Sequence, residues 1–246
     1  MDATKVAPIL DKLAAIKTGR LVAQLPASHA QLQVAADRFV RRIEIATAQG
    51  AYTLYLGSSA GSSTVHVRLD GQDNVYLTNG LNTWEVSAEL LSWVNPIYVA
   101  ISSADVTGFT LKNRNGEFAF VKDAQGAWSL TDLAGDEATN PNNVVSQVDL
   151  FTNLRMTKPL GTADDPAYGM ADPSAVVTLR YKSGDEEKTS TVTIGAQDPT
   201  DKAYYVKSSD SPYYVKVASY SVETLVERGR DAFLQATPTP AATPSQ

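Results

Sequence analysis

Apolar and polar positions along the chain follow first a helical and then a strand period, and the whole succession occurs twice. Val6, Leu10, Leu13 and Ile16 fall at spacings of four, three and three, the stripe of an amphipathic helix; the stripe returns as Val144, Val148, Phe151 and Leu154, each 138 residues later. Asn140-Pro141 supplies a cap and a first-turn proline for the second helix. Both helices run into a basic, polar stretch, with Arg20 matching Lys158. After an irregular link the period shortens to two. Ile43–Thr47 and Tyr52–Leu56 read as a hairpin around Gln49-Gly50, and Val176–Tyr181 and Thr189–Ile194 as one around Ser183-Gly184 with a longer, charged tip. Val177, Leu179 and Tyr181 alternate with Thr178 and Arg180, which predicts one dry and one wet face. Each copy then turns a glycine corner into two further strands: Gly57 aligns with Gly195 (138), Val67 with Val206 (139) and Tyr76 with Tyr214 (138). A short helix follows each, about Ala88–Trp93 and Ser221–Arg228, the latter with Ser219 or Ser221 as cap.

Phe109–Asn113, Glu117–Lys122 and Ala127–Leu130 read as three strands with no partner in the first half, joined by turns at Arg114-Asn115-Gly116 and Asp123–Gly126. The first copy's equivalent would precede Met1, which predicts a fragment of a longer protein whose first sheet closes differently or leaves an edge exposed. A repeat this long indicates duplicated domains rather than a solenoid. The expected fold class is α+β: two tandem domains, each an antiparallel sheet with a helix packed on one face. Residues 1–101 form a first domain lacking its opening hairpin, 102–235 a complete second domain, and 236–246 a disordered Thr/Pro-rich tail.

Composition narrows the function classes. With 43% hydrophobic and 20% charged residues the 246-residue chain has the make-up of globular domains. A net charge of −6 argues against nucleic acid and against direct attraction to an anionic membrane. Cysteine is absent, which removes disulfides, thiol nucleophiles and cysteine-type zinc sites. No run reaches the roughly 20 apolar residues of a spanning helix, and no signal peptide opens the chain.

Phe109–Leu130, the helix from Asn143, Tyr168-Gly169-Met170 with Pro173, Ile194-Gly195, Tyr204-Tyr205 and the terminal Arg228 together resemble the domain-of-unknown-function 4340 family. The likeness covers the second copy throughout and the first from its helix onward. Val34-Ala35-Ala36 stands there in place of Tyr168-Gly169-Met170, and His66-Val67-Arg68 in place of Tyr204-Tyr205. The resemblance implies a bacterial extracytoplasmic protein, anchored to the cell membrane at its N-terminus in full length, with some relatives encoded beside ABC-transporter components. It carries over no catalytic residue.

Several constellations carry candidate chemistry. Gly57-Ser58-Ser59-Ala60-Gly61 matches G-x-S-x-G, but a nucleophile elbow needs a helix afterwards and Thr64–Leu69 reads as a strand. The stretch is therefore read as a loop, with an anion nest as the weaker option. His66 and Arg68 share one strand face and could bind a carboxylate or phosphate, or form a solvated surface pair. His29, in the polar Ala27–Gln31 link, reads as solvated, and the two histidines lack zinc spacing. Carboxylates group at Asp70/Asp73, Asp164-Asp165 and Asp185–Glu187; Asp70-Gly-Gln-Asp-Asn is too sparse for a calcium loop and reads as a hairpin turn, and Asp185–Glu187 as a charged hairpin tip. Tyr204, Tyr205, Tyr213 and Tyr214 lie on adjacent strands, so one pair should enter the core and the other could stack on a sugar or anchor a protein. Trp84, Trp93 and Trp128 sit at element ends and read as core caps. No cofactor or metal is expected. The leading reading is a non-enzymatic interaction or scaffold module of a bacterial envelope complex, with an envelope or membrane protein as partner. A carbohydrate- or small-ligand-binding module is the alternative, and a hydrolase using Ser59 or a carboxylate pair comes third.

Overall fold

A computed structural model describes residues 1–235; the Thr/Pro-rich tail expected at 236–246 lies outside them. The chain divides into two compact units, Met1–Asn95 and the part from Pro96 onward, and each is an antiparallel sheet with helical elements on one face.

The first unit opens with α1 (Ala3–Ala14), capped by Asp2, whose carboxylate accepts from Thr4 N at 3.1 Å. Five strands follow: β1 (Leu21–Ala23), β2 (Arg41–Thr47), β3 (Gly50–Ser59), β4 (Val65–Leu69) and β5 (Val75–Thr78), arranged β1-β5-β4-β3-β2. Leu54, Leu56, Val65, Val67 and Leu81 are its main buried cluster, with Ile9, Leu13 and Ile16 packed against it. Ile9 thus replaces Leu10 in the expected stripe. Leu10 is 55% exposed, because two adjacent apolar residues both satisfy helical spacing and only one can face the sheet.

In the second unit β6 (Val106–Asn113), β7 (Gly116–Lys122) and β8 (Trp128–Leu130) precede α2 (Pro141–Thr152), whose cap Asn140 accepts from Asn143 N at 3.4 Å. There follow β9 (Met156–Gly161), β10 (Ala175–Ser183), β11 (Glu186–Gln197), β12 (Tyr204–Ser208), β13 (Tyr214–Val217) and α3 (Glu223–Glu227). The order is β8-β7-β6-β10-β11-β12-β13-β9. Val144, Val148, Phe151 and Leu154 of the second stripe are all buried against this sheet, together with Leu225, Val226 and Phe233. Val222 occupies the α3 cap position with no side-chain cap bond, where a serine was expected.

Read from β9, the second sheet repeats the first strand for strand, and β6–β8 add three strands beyond β10. The registers agree: Leu56 opposes Val67 and Ile194 opposes Val206. Further along, Val67 opposes Tyr76 while Val206 opposes Val215. Tyr76 therefore corresponds to Val215, a shift of 139, and not to Tyr214. The charged tip of the second hairpin also differs from expectation. Pairing continues to Ser183–Glu186, so the turn is only Gly184-Asp185, and Glu186, Glu187 and Lys188 sit on a paired strand.

Candidate functional site

The glycine corners position what lies on the sheet face away from the helices. A Cβ on Gly195 would lie 1.9 Å from Tyr168 O, and one on Gly57 would lie 2.2 Å from Leu32 O. In both units a loop crosses the strand so closely that no side chain fits. The loop turns through a left-handed residue at the crossing, Gly169 (φ 68°) in the second unit and Gln33 (φ 58°) in the first. Leu32-Gln33-Val34 is accordingly the counterpart of Tyr168-Gly169-Met170, displacing the expected Val34-Ala35-Ala36. Pro26-Ala27 and Pro166-Ala167 both open the short helical turn before it, so the first unit's loop carries four extra residues between turn and crossing.

Beneath the second unit's loop, Tyr168 stacks on Tyr205 (4.7 Å between ring centroids) and leans on Tyr214 (5.3 Å). Tyr205 and Lys216 are direct cross-strand neighbours, and the Lys216 ammonium lies 5.3 Å from the Tyr205 ring. That ammonium donates to Asp198 and, at 2.8 Å, to Asp201 Oδ2, while the Tyr205 hydroxyl donates to Asp198 Oδ2 at 2.7 Å. Asp198 also accepts from Thr200 N at 2.7 Å. The bonds from Lys216, then Tyr205, hold the Asp198 carboxyl well below its ordinary range. Burial works against the Lys216 charge, yet the two carboxylates push it up to about 12. The Asp198 carboxylate also raises the Tyr205 hydroxyl. Near neutral pH all three keep their protonation states, so the cluster fastens strand to loop and neither gives nor takes a proton.

The candidate residues of the two copies fall on equivalent positions. By register His66 corresponds to Tyr205, and Arg68 to Lys207. Both cations cap the following turn: Arg68 donates to Leu69 O (3.5 Å) and Gln72 O (3.1 Å), Lys207 to Ser208 O (2.9 Å) and Ser211 O. Each also sits over a tyrosine, Arg68 4.7 Å from the Tyr55 ring and Lys207 5.6 Å from that of Tyr214. Arg68 reaches Val34 O at 2.7 Å as well, and is 6% exposed. The expected solvated pair is thus a buried pair, because the 26–40 loop covers this face. His29 is likewise buried, with Nε2 2.8 Å from Asp73 O.

His66 Nδ1 lies 2.8 Å from Ser58 O and 3.1 Å from Ser58 Oγ. A carbonyl only accepts, so Nδ1 carries the proton and cannot serve as base to that hydroxyl. The Ser58 hydroxyl points to Leu32 O at 3.2 Å, and the Ser59 hydroxyl donates to Gly61 O at 2.6 Å. The G-x-S-x-G stretch runs strand, turn, strand. Asp165 accepts from Ala167 N at 2.8 Å as a turn cap. Of the four tyrosines, Tyr204 enters the core, Tyr205 and Tyr214 share the opposite face under Tyr168, and Tyr213 is 49% exposed. Trp128 is buried as expected, whereas Trp84 is 77% exposed and caps nothing.

Asp198, Asp201 and Lys216 were not singled out from the sequence, and Tyr168 entered only through the Tyr168-Gly169-Met170 motif. Alternation on β13 puts Lys216 on the face of Tyr214, but nothing local shows that Asp198 and Asp201 fold back onto it. A separate cavity of about 520 Å³ lies at the C-terminal end of α2, lined by Asp149, Asn153, Arg155 and Tyr220 among others. Tyr220 is 80% exposed.

The family described as a domain of unknown function (DUF4340) matches residues 1–170 and 128–239. The chain belongs to the DUF4340 family. Two overlapping matches agree with two tandem DUF4340 copies, as the matching strand orders require. No curated protein and no solved structure matches the chain. Among the described residues no helix is long and apolar enough to cross a membrane, and no cluster of three or more His, Cys, Asp or Glu could hold a metal ion.

Proposed function

We propose that this chain is a non-enzymatic interaction or scaffold module of a bacterial envelope complex, extracytoplasmic and associated with an ABC transporter. The observation that carries the non-catalytic part is the state of the polar groups at the glycine corners. Lys216 and Asp198 neutralise one another away from their titration ranges, and Arg68 is spent on main-chain carbonyls. Such groups secure a scaffold twice over and leave its surfaces to do the work. The envelope location and the transporter rest on the family resemblance. Affinity capture from detergent-solubilised envelope membranes should return a defined membrane-protein partner at stoichiometric yield. Recovery of nothing above an unrelated bait would contradict the reading.

A carbohydrate-binding reading is favoured by Tyr220 and not by Tyr205. Tyr205 is covered by Tyr168, whereas Tyr220 stands exposed at a cavity that also offers a carboxylate, an amide and a guanidinium. A ring face beside hydrogen-bonding groups suits a sugar. Glycan-array binding lost in Tyr220→Ala and retained in Tyr205→Ala would support it, and uniform background binding would remove it.

A further inference from the structure

The two units differ at one edge. In the second, β10 pairs with β6, which sets Leu111 opposite Val177 and Phe109 opposite Leu179, and all four side chains are buried. In the first, the equivalent strand β2 pairs with β3 and, among the described residues, with no other strand. Ile43 and Ile45, which correspond to Val177 and Leu179 by register, are only half-buried. An edge strand offers alternate N–H and C=O groups to any chain that can lie beside it.

We propose that β2 pairs with β2 of a second copy, antiparallel and centred on Ile43, joining the two five-stranded sheets across a two-fold axis. The charge pattern selects this occupant and this register. Arg41, Ile43 and Ile45 share the helix-side face, whereas Arg42 and Glu44 point to the other. Keeping both helix-side faces together limits the register to steps that preserve this alternation. Centring on Arg42 sets arginine against arginine, and centring on Glu44 sets glutamate against glutamate. Centring on Ile43 places Arg42 opposite the second copy's Glu44, and Glu44 opposite its Arg42, with the two Ile43 side chains in contact on the helix side. That is an isologous contact, each patch meeting itself. Arg42 and Glu44 already form a 2.6 Å ion pair within the strand, with side chains 46% and 67% exposed, so both lie at the surface with room to exchange partners. The pairing lies outside the envelope partnership proposed above and does not rest on it.

Sedimentation velocity of the whole chain at low salt, over a concentration series, tests the pairing. The wild-type chain should move to a dimer. Arg42→Glu and Glu44→Arg, each of which sets like charges opposite one another, should each weaken dimerisation about tenfold or more, equivalent to ~1.4 kcal/mol. The double reversal, which restores opposite charges, should recover it. Circular dichroism checks that the variants fold, and amide exchange in wild-type residues 41–47 should slow as concentration rises. A chain monomeric throughout the series, or a dimer indifferent to both reversals, overturns the proposal.

Discussion

Gly195 and Gly57 each leave room for the loop that crosses their strand, because a backbone oxygen occupies the space a side chain would need. Gly195→Ala must push the Tyr168 loop off its strand, and should cost about 3 kcal/mol, the upper end of overpacking; chemical denaturation measures it. Gln33 presents the opposite case. At φ 58° it sits where a side chain crowds the backbone, and its counterpart is Gly169. Gln33→Gly should therefore stabilise the first unit by about 0.5–1 kcal/mol, the relief of the left-handed conformation exceeding glycine's entropic cost. The Lys216 cluster sets a pH dependence. The Asp198 carboxyl titrates below its ordinary 3.8 when folded, so its contribution is present above about pH 4 and is lost as pH falls through the depressed value. Lys216, raised from 10.5 to about 12, contributes in full below 10.5 and loses its share as pH rises through 12. Lys216→Met should lower Tm near pH 7 and flatten its fall below pH 4, as thermal scans from pH 2 to 8 would show.

Helices and strands were legible where period and punctuation agreed. Asn140-Pro141 marked the start of α2, the glycine corners marked the strand crossings, and Asn115-Gly116 marked the β6–β7 turn. The α1 stripe erred by one residue because Ile9 and Leu10 both fit the spacing. Ile9→Ala should accordingly cost about 1–2 kcal/mol, and Leu10→Ala within about 0.5 kcal/mol, compared by thermal melts. The burial of His66, Arg68 and His29 was hidden for a physical reason: the loop that covers them has no period, and only the fold shows that it lies over the sheet. The four residues inserted before Leu32 similarly concealed its equivalence to Tyr168. The Asp198–Lys216 pairing depends on a turn returning two carboxylates over a neighbouring strand, which spacing along the chain does not display.

One scaffold is built twice; among the described residues its edge is closed by three strands in the second copy and open in the first. Among the described residues the second unit gathers 25 buried side chains into one cluster, while the first divides its interior into clusters of five and three on opposite sheet faces. Buried apolar area is the main source of stability, so the first unit should open at lower free energy than the second. Native-state hydrogen exchange, read by mass spectrometry at concentrations where the chain is monomeric, measures this directly. Amides of β11 and β12 should outlast those of β3 and β4, and β10, paired on both sides, should outlast β2. Equal protection across the paired strands, or β2 exchanging as slowly as β10, would contradict the account.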